Sequence, residues 1–350
     1  MKIIIGFISY NQSTNRYLPF FLPSLKKAVY ELEDIDFEII SLDNSEDYFD
    51  NYTYIDNFRR ESGLLDKFLL IKSDCNLGFA RGFNLIINEA IERKADLFLA
   101  VNPDVVLEDD SINKLVCEFI KNKDNFNLVS SFSPKILKWN FENNQLTKNI
   151  DSLGIGLNRL HRFFDVGQGE LDNNYEFDEK KEIFGVSGAA AFFNIRALVD
   201  VAYNNGKHLE FFDEMMFMYK EDIDLAYRLQ LAGWKSYLVP GAKVYHDRNL
   251  SSKSLNIYSL IFKEGENKLR SQSFLNQLIL ILKFKKLRFS FKVWVPSSFR
   301  FVFLLFYGLL FERRQILKIF SLRKEIEKRR KALKNRNNIV SNIEKLMKNG

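Results

Sequence analysis

Cysteine is nearly absent: 350 residues hold only Cys75 and Cys117. Two thiols so far apart give neither a metal-binding cluster nor a disulfide framework, and they fit a reducing, cytoplasmic compartment. Proline is scarce, six residues against 34 phenylalanines, which excludes a disordered or linker-rich chain. Histidine is limited to His161, His208 and His246. The first apolar run, Ile3–Ile8, is too short, and too soon followed by polar residues, for a secretory leader. No apolar run reaches the roughly 20 residues a membrane-spanning helix needs. No internal repeat is visible.

The chain is 46% hydrophobic with a formal net charge of +6, long enough for one large α/β domain and a smaller extension. The charge is uneven. Acidic residues gather at Glu31–Asp50 and Asp172–Glu182, basic residues from Lys263 onward. A basic tail of this kind points to an anionic partner. The basic residues form no nucleic-acid-binding motif, so no nucleic acid is expected.

Continuous apolar runs suit buried strands of a parallel sheet: Ile3–Ile8, Phe37–Leu42, Phe68–Ile71 and Asp96–Val101. Helical spacing follows each in turn. Leu22, Leu25, Val29 and Leu32 form one inner face; Phe83, Ile86, Ile87, Ala90 and Ile91 a second; Ile112, Leu115, Val116, Phe119 and Ile120 a third, capped by Asp109, Asp110 and Ser111. Strands alternating with helices predict βαβ units, and ligands of such sheets bind beyond the carboxyl ends of the strands. Those ends carry Ser9-Tyr10-Asn11, Asp43, Asn76-Leu77-Gly78 and Asn102-Pro103-Asp104. Any one could be a turn former; their recurrence at one edge favours a site. A dehydrogenase would place a glycine-rich phosphate turn after its first strand; Ser9-Tyr10-Asn11-Gln12 stands there instead. From about residue 140 to 181 the pattern loosens into an irregular insertion or hairpin. Order returns at Phe184–Asn194, then at strands Ser236–Val239 and Lys243–His246.

The richest stretch is Tyr219–Trp234. Leu225, Leu229 and Ala232 share a helical face, and Glu221, Asp222 and Asp224 crowd the first turn. Acids at a helix start are stabilised by the helix dipole, which is a sufficient structural reason for them. The aromatic and methionine-rich lead-in, Phe211 to Tyr219, sets them against an apolar wall, and carboxylates so placed are candidates for tuned general bases.

In their order and spacing these segments resemble the family 2 glycosyltransferases of the GT-A fold, in the bacterial rhamnosyltransferase-like and galactofuranosyltransferase-like branch. The pieces are Ser9-Tyr10-Asn11, Leu42–Ser45, Asn76–Asn84, Asn102-Pro103-Asp104, Val186–Ala189, Phe212-Asp213-Glu214, Glu221–Leu225 with Arg228 and Gly233-Trp234, and Val244-Tyr245-His246. The resemblance implies a Rossmann-like, mostly parallel central sheet flanked by helices, residues 1–262, with a nucleotide-sugar half of about 1–135 and an acceptor half of about 136–262. A basic, amphipathic helical extension, 263–350, follows. It implies an inverting transfer from a UDP- or dTDP-sugar to a hydroxyl of a growing cell-surface glycan or lipid-linked glycan. Ser9, Tyr10, Asn11, Asp43, Asn76, Gly78, Arg81 and Asn102 would serve the nucleotide-sugar. Asp104 and His246 would hold a divalent cation, Mg or Mn. Asp222 would be the catalytic base, with Glu221, Asp224, Trp234 and Gly188 on the acceptor side. One position departs from the pattern: Asn102 stands where the family's metal motif begins with an acid, and asparagine binds a cation more weakly. The alternative is a degenerate member that binds nucleotide-sugar or scaffolds a glycan-assembly complex without turnover.

In the tail, Phe274–Leu282 leads into Lys283-Phe284-Lys285-Lys286, and Phe299–Phe311 into Glu312-Arg313-Arg314. Aromatic-rich runs edged by lysine and arginine have the composition of helices lying in a membrane interface. The expected location is therefore cytoplasmic, peripheral at the inner face of the cytoplasmic membrane. Packing on the catalytic domain, or a homodimer, is the competing use. Lys324–Lys348 reads as a solvated helix or frayed tail.

Overall fold

The apolar runs meet in one sheet. The computed structural model describes residues 1–46, 50–121, 128–173, 175–248, 264–333 and 340–348. Strands β1 (Lys2–Ser9), β2 (Asp36–Asp43), β3 (Phe68–Lys72) and β4 (Leu97–Val101) pair in parallel, with β1 between β2 and β4. Then come β5 (Val105–Leu107), the hairpin β6 (Val129–Asn140) and β7 (Gln145–Ser152), β8 (Ile155–Asn158), β9 (Phe163–Asp165), β10 (Glu182–Ile183) and β11 (Ala190–Asn194). The pairs β12 (Tyr203–Asn204) with β13 (Leu209–Glu210) and the long β14 (Lys235–His246) follow. The sheet order is β10-β14-β6-β11-β4-β1-β2-β3, with β5 on β14 and β7 on β6. β11 runs antiparallel to both neighbours, so the sheet is parallel on the β1 side and mixed beyond β4. The expected division near residue 135 falls inside β6, so one sheet carries both halves. The expected boundary at 262/263 lies outside the described residues.

Helices α1 (Asn11–Asn15), α2 (Leu18–Tyr30), α3 (Asn51–Glu61), α4 (Gly78–Glu92) and α5 (Ser111–Lys121) flank the first strands, and α6 (Ile195–Val201) and α7 (Glu221–Leu231) the rest. Leu22, Leu25, Val29, Phe83, Ile86 and Ile87 are buried as their spacing predicts. Ile120 is not: it lies 41% exposed in the last turn of α5, where Ile112, Leu115, Val116 and Phe119 already fill the seam.

The extension is α8 (Glu264–Phe284), α9 (Phe291–Phe311), α10 (Arg313–Lys331), α11 (Val340–Leu346) and a short β15 (Met347–Lys348) on β8. α8 packs on α7: Leu275, Ile279, Leu280 and Phe284 are buried with Ile223, Tyr227 and Leu231, and Tyr227 stacks on Phe284 at 4.2 Å between ring centroids. The first apolar run of the tail is thus a core helix, because its apolar residues are consumed by packing against α7. The terminal stretch is also partly packed: Ile326, Arg329 and Ile343 are buried.

Candidate active site

Strand register builds the first corner. β5 pairs with β14 so that Val105 lies opposite His246. This sets the preceding Asp104 against the imidazole, with Nε2 3.4 Å from Asp104 Oδ2. The other ring nitrogen, Nδ1, lies 2.8 Å from Asp151 Oδ2 on β7. Asp151 is held by Arg248 at 3.0 Å, and Arg248 also pairs with Asp165. Burial opposes charge on His246, yet Asp104 and Asp151 push the imidazole up to about 10. Asp104 Oδ1 is buried and has no hydrogen-bond partner among the described residues. An orphan carboxylate oxygen beside an imidazole nitrogen whose other nitrogen is fixed by a carboxylate is the donor set a divalent cation takes. The residues therefore fit the ion, which would take the place of the proton on His246 Nε2.

The second edge is the nucleotide side. Ser9 and Asp43 are register partners on β1 and β2. Asp43 is buried; its Oδ1 accepts from Ser9 Oγ at 2.8 Å and Ser45 Oγ at 2.5 Å, while Oδ2 has no partner among the described residues. A buried carboxylate oxygen without a donor is costly unless a ligand supplies one. Tyr10 leads into α1 with extended backbone. Asn11 is committed locally: its Oδ1 accepts from Glu46 N, and its own N donates to Ser45 Oγ, both at 2.9 Å. Asn76 Oδ1 accepts from Gly78 N at 2.8 Å, closing the turn into α4, and Arg81 is exposed one turn on. Asn102 donates its backbone N–H to Ala189 O at 2.9 Å, which places Gly188 beside the β4 end.

Asp222 lies at the start of α7. Its Oδ1 accepts from Ile223 N at 2.8 Å and its Oδ2 from Gly188 N at 3.3 Å. Burial pushes its carboxyl up, against the two N–H donors. Glu221 is pushed up further, by burial and by Asp222, and its Oε2 has no partner among the described residues. α7 comes this close because Gly185 has no side chain: a Cβ there would lie 2.4 Å from Ala226 Cβ.

Two expected acceptor-side residues are elsewhere. Asp224 is fully buried behind α7, accepting from Arg228 Nε at 2.8 Å and paired with Lys283. Two residues along an α-helix is about 200° around it, so Asp224 faces away from Asp222. Trp234 is buried past the far end of α7, donating Nε1–H to Asp200 Oδ2 at 2.8 Å. The same buried network holds Lys283 at 2.5 Å from Asp213, and Arg329 at 2.7 Å from Glu210. Lys283 was expected at a lipid edge; its pairing with two buried acids explains why it lies inside. His208, Glu210 and Glu214 also converge, but Glu210 is committed to Arg329 and Glu214 accepts from Asn84 at 3.1 Å.

Sequence reasoning missed the loop that carries Asp222 forward. Phe217, Tyr219 and Lys220 all have positive φ (57°, 69° and 69°), which side chains other than glycine adopt at a cost of about 1–3 kcal/mol each. The loop is held from both sides. Ala80 N donates to Phe217 O at 3.0 Å, and the Phe217 ring fills the space at Gly78, where a Cβ would meet it at 2.6 Å. From the extension, Asn276 Nδ2 reaches the carbonyls of Met216, Met218 and Tyr219 at 2.9, 2.9 and 2.7 Å, and Gln272 Nε2 reaches Met216 O at 3.2 Å. Burial, Glu221 and Asp104 push the Tyr219 phenol up, so the loop lies within charge range of the Asp104 corner.

No protein-family model matches the chain. A curated N-acetylglucosaminyl-diphospho-decaprenol L-rhamnosyltransferase of Mycobacterium tuberculosis is 57% identical over 37 residues, 11% of this chain and 12% of the relative. The crystal structure of GalNAc-T7 with UDP, GalNAc and Mn2+ is similar over 80% of this chain and 48% of its own, at 13% identity and TM-score 0.54. The mannosyltransferase PcManGT from Pyrobaculum calidifontis, in complex with GDP-Man and Mn2+, is similar over 91% of this chain and 75% of its own, at 13% identity and TM-score 0.48. The chain thus spans about half the length of the GalNAc-T7 structure, and the curated match covers a small part of either protein. The chain has the fold of the GT-A glycosyltransferases.

Proposed function

We propose that the chain transfers a sugar from a UDP- or dTDP-sugar to a hydroxyl of a growing cell-surface glycan, with inversion at the anomeric carbon. Rhamnose, galactose and galactofuranose are the donor sugars its resemblance suggests. The observation that carries this reading is the Asp104–His246 corner, with its orphan oxygen and fixed imidazole, together with a half-buried Asp222 whose carboxylate accepts the N–H of Gly188 beside the β4 end. UDP and Mn2+ in the GalNAc-T7 structure, and the rhamnosyl activity of the curated relative, support it.

In this reading Asp43 Oδ2 accepts a donor from the nucleotide, and Arg81 offers charge to the diphosphate. Asp104 Oδ1 and His246 Nε2 would hold a divalent cation, with Asn102 beside them. Such a cation supplies Lewis-acid stabilisation to a departing diphosphate. Asp222 takes the proton of the acceptor hydroxyl as its oxygen bonds to the anomeric carbon and the bond to the nucleoside diphosphate breaks. The Gly188 and Ile223 N–H groups hold the carboxylate in place, and burial raises its basicity toward that role.

The test is release of UDP or dTDP from a panel of nucleotide-sugars with Mg2+ or Mn2+ and a glycan acceptor. Nucleotide-sugar binding that raises the unfolding temperature, without release under any condition, would give the chain to the degenerate reading instead.

A further inference from the structure

We propose that the outward face of α9 docks this protein on an anionic lipid surface. Phe299, Val302, Phe303, Phe306 and Leu310 follow one another at helical spacing and are 76%, 64%, 65%, 62% and 48% exposed. Phe291 and Trp294 extend the stripe at one end, and Leu317 and Phe320 of α10 broaden it at the other. A surface helix normally turns its polar side outward; α9 does the reverse. Its inner side is already spent. Val293 and Gly308 are buried, and Gly308 lets α9 approach α8 and α10 so closely that a Cβ would lie 2.6 Å from Ile316 and 2.9 Å from Phe274. Arg300, the charge in the middle of the helix, turns inward and donates to His161 O at 2.9 Å.

The charges around the stripe choose the occupant. Lys285, Lys286, Arg288 and Lys292 are exposed before and at the start of α9, and Arg313, Arg314 and Lys318 beyond its end. In a two-fold dimer the same patch faces itself, so this rim would face another basic rim, a juxtaposition that costs affinity. An anionic bilayer meets both demands: headgroups attract the rim and the acyl boundary takes the aromatic stripe. With 21 residues, α9 is long and apolar enough to cross a membrane by length and composition, longer than the apolar run read from sequence. Yet α10 turns back directly from its end to pack on α8, and its basic end, Glu327-Lys328-Arg329-Arg330-Lys331, is tied to the domain through Arg329 and Glu210. Charges so placed do not enter hydrocarbon cheaply, so α9 lies in the interface. The proposal goes beyond the transfer reading and does not depend on it.

The test is flotation of the full chain with phosphatidylcholine vesicles, with and without added phosphatidylglycerol, at low and high salt. The chain should float with the anionic vesicles at low salt, far less with neutral ones, and be partly released by high salt. The double variant Phe303→Glu, Phe306→Glu changes only exposed side chains; it should unfold at the wild-type temperature and fail to float. Equal flotation of variant and wild type, or equal flotation with both vesicle types, overturns the proposal. So does a wild-type chain that ignores anionic vesicles at low salt. If that chain is instead a dimer by light scattering, and the double variant a monomer, the face belongs to a second copy.

Discussion

Asn276 donates to the carbonyl of Tyr219 at 2.7 Å and so ties the C-terminal extension to the loop that presents Asp222. The same amide reaches Met216 and Met218. Three carbonyls on one amide hold a loop with three left-handed side-chain-bearing residues. Asn276→Asp replaces the donor with an acceptor facing carbonyl oxygens. Transfer should fall by about 10² with nucleotide-sugar binding less affected, because in the proposed reaction this loop aims the base. Measured kcat against the donor Kd checks this; a loss confined to donor binding would contradict it.

Behind the same helix, Lys283 sits between Asp213 and Asp224, all three fully buried. Removing one charge leaves the others unpaired, so Lys283→Met should destabilise by about 3–5 kcal/mol. Adding Asp224→Asn should recover part of that loss, as coupled neighbours do. Despite burial, Lys283 and Arg329 hold the Asp213 carboxyl below its usual range. A carboxyl depressed in the fold contributes stability above its unfolded pKa and loses it as pH falls through the folded value. Urea unfolding midpoints should therefore drop below about pH 4, and drop less steeply in Asp213→Asn.

How much of this was legible beforehand depended on the range of each interaction. Ser9, Asp43 and Asp104 are readable because strand ends in an α/β sheet share one edge, and the order of the segments brought His246 to Asp104. Asp151 was not readable: it lies in the loosened stretch after β6, and only the β6–β7 hairpin carries it to His246. The acidic cluster suggests an acceptor-side role for Asp224, but helix geometry alone turns it away from Asp222. Trp234 could have been excluded by length, since α7 has 11 residues, about 16 Å from end to end. Asn276 and Lys283 gave no local signal. A polar residue in an apolar run reads as a boundary until its partners, some 60 residues earlier, are known.

The Asp104–His246 corner predicts a cation-dependent thermal shift. Mn2+ should raise the unfolding temperature of the wild-type chain, and Asp104→Ala should abolish the rise. Asp151→Asn keeps the shape but weakens the support of His246 Nδ1, and should lower Mn2+ affinity by roughly 10- to 100-fold. Titration calorimetry of the metal alone measures this without turnover. A wild-type affinity in Asp151→Asn would show that the carboxylate does not orient the imidazole.

As the proposed base, Asp222 must be unprotonated to accept a proton from the acceptor. Burial is the largest influence on it and raises its pKa, with N–H donation from Ile223 and Gly188 pulling the other way. Glu221 beside it is raised more strongly, by burial and by the Asp222 charge. As pH falls through the raised value, the fraction able to act as base declines, so the acid limb of kcat should lie above the ordinary aspartate range near 4. Asp222→Asn should lose transfer by roughly 10² or more while retaining nucleotide-sugar binding, since neither Asp43 nor the Asp104 corner touches it. Glu221→Gln separates the two acids: Glu221 keeps its proton to higher pH than Asp222, so the neutral amide should leave the acid limb in place with transfer preserved. If Glu221→Gln abolishes transfer and Asp222→Asn does not, the base is Glu221, whose unpartnered Oε2 is the other carboxylate oxygen available at this end of α7.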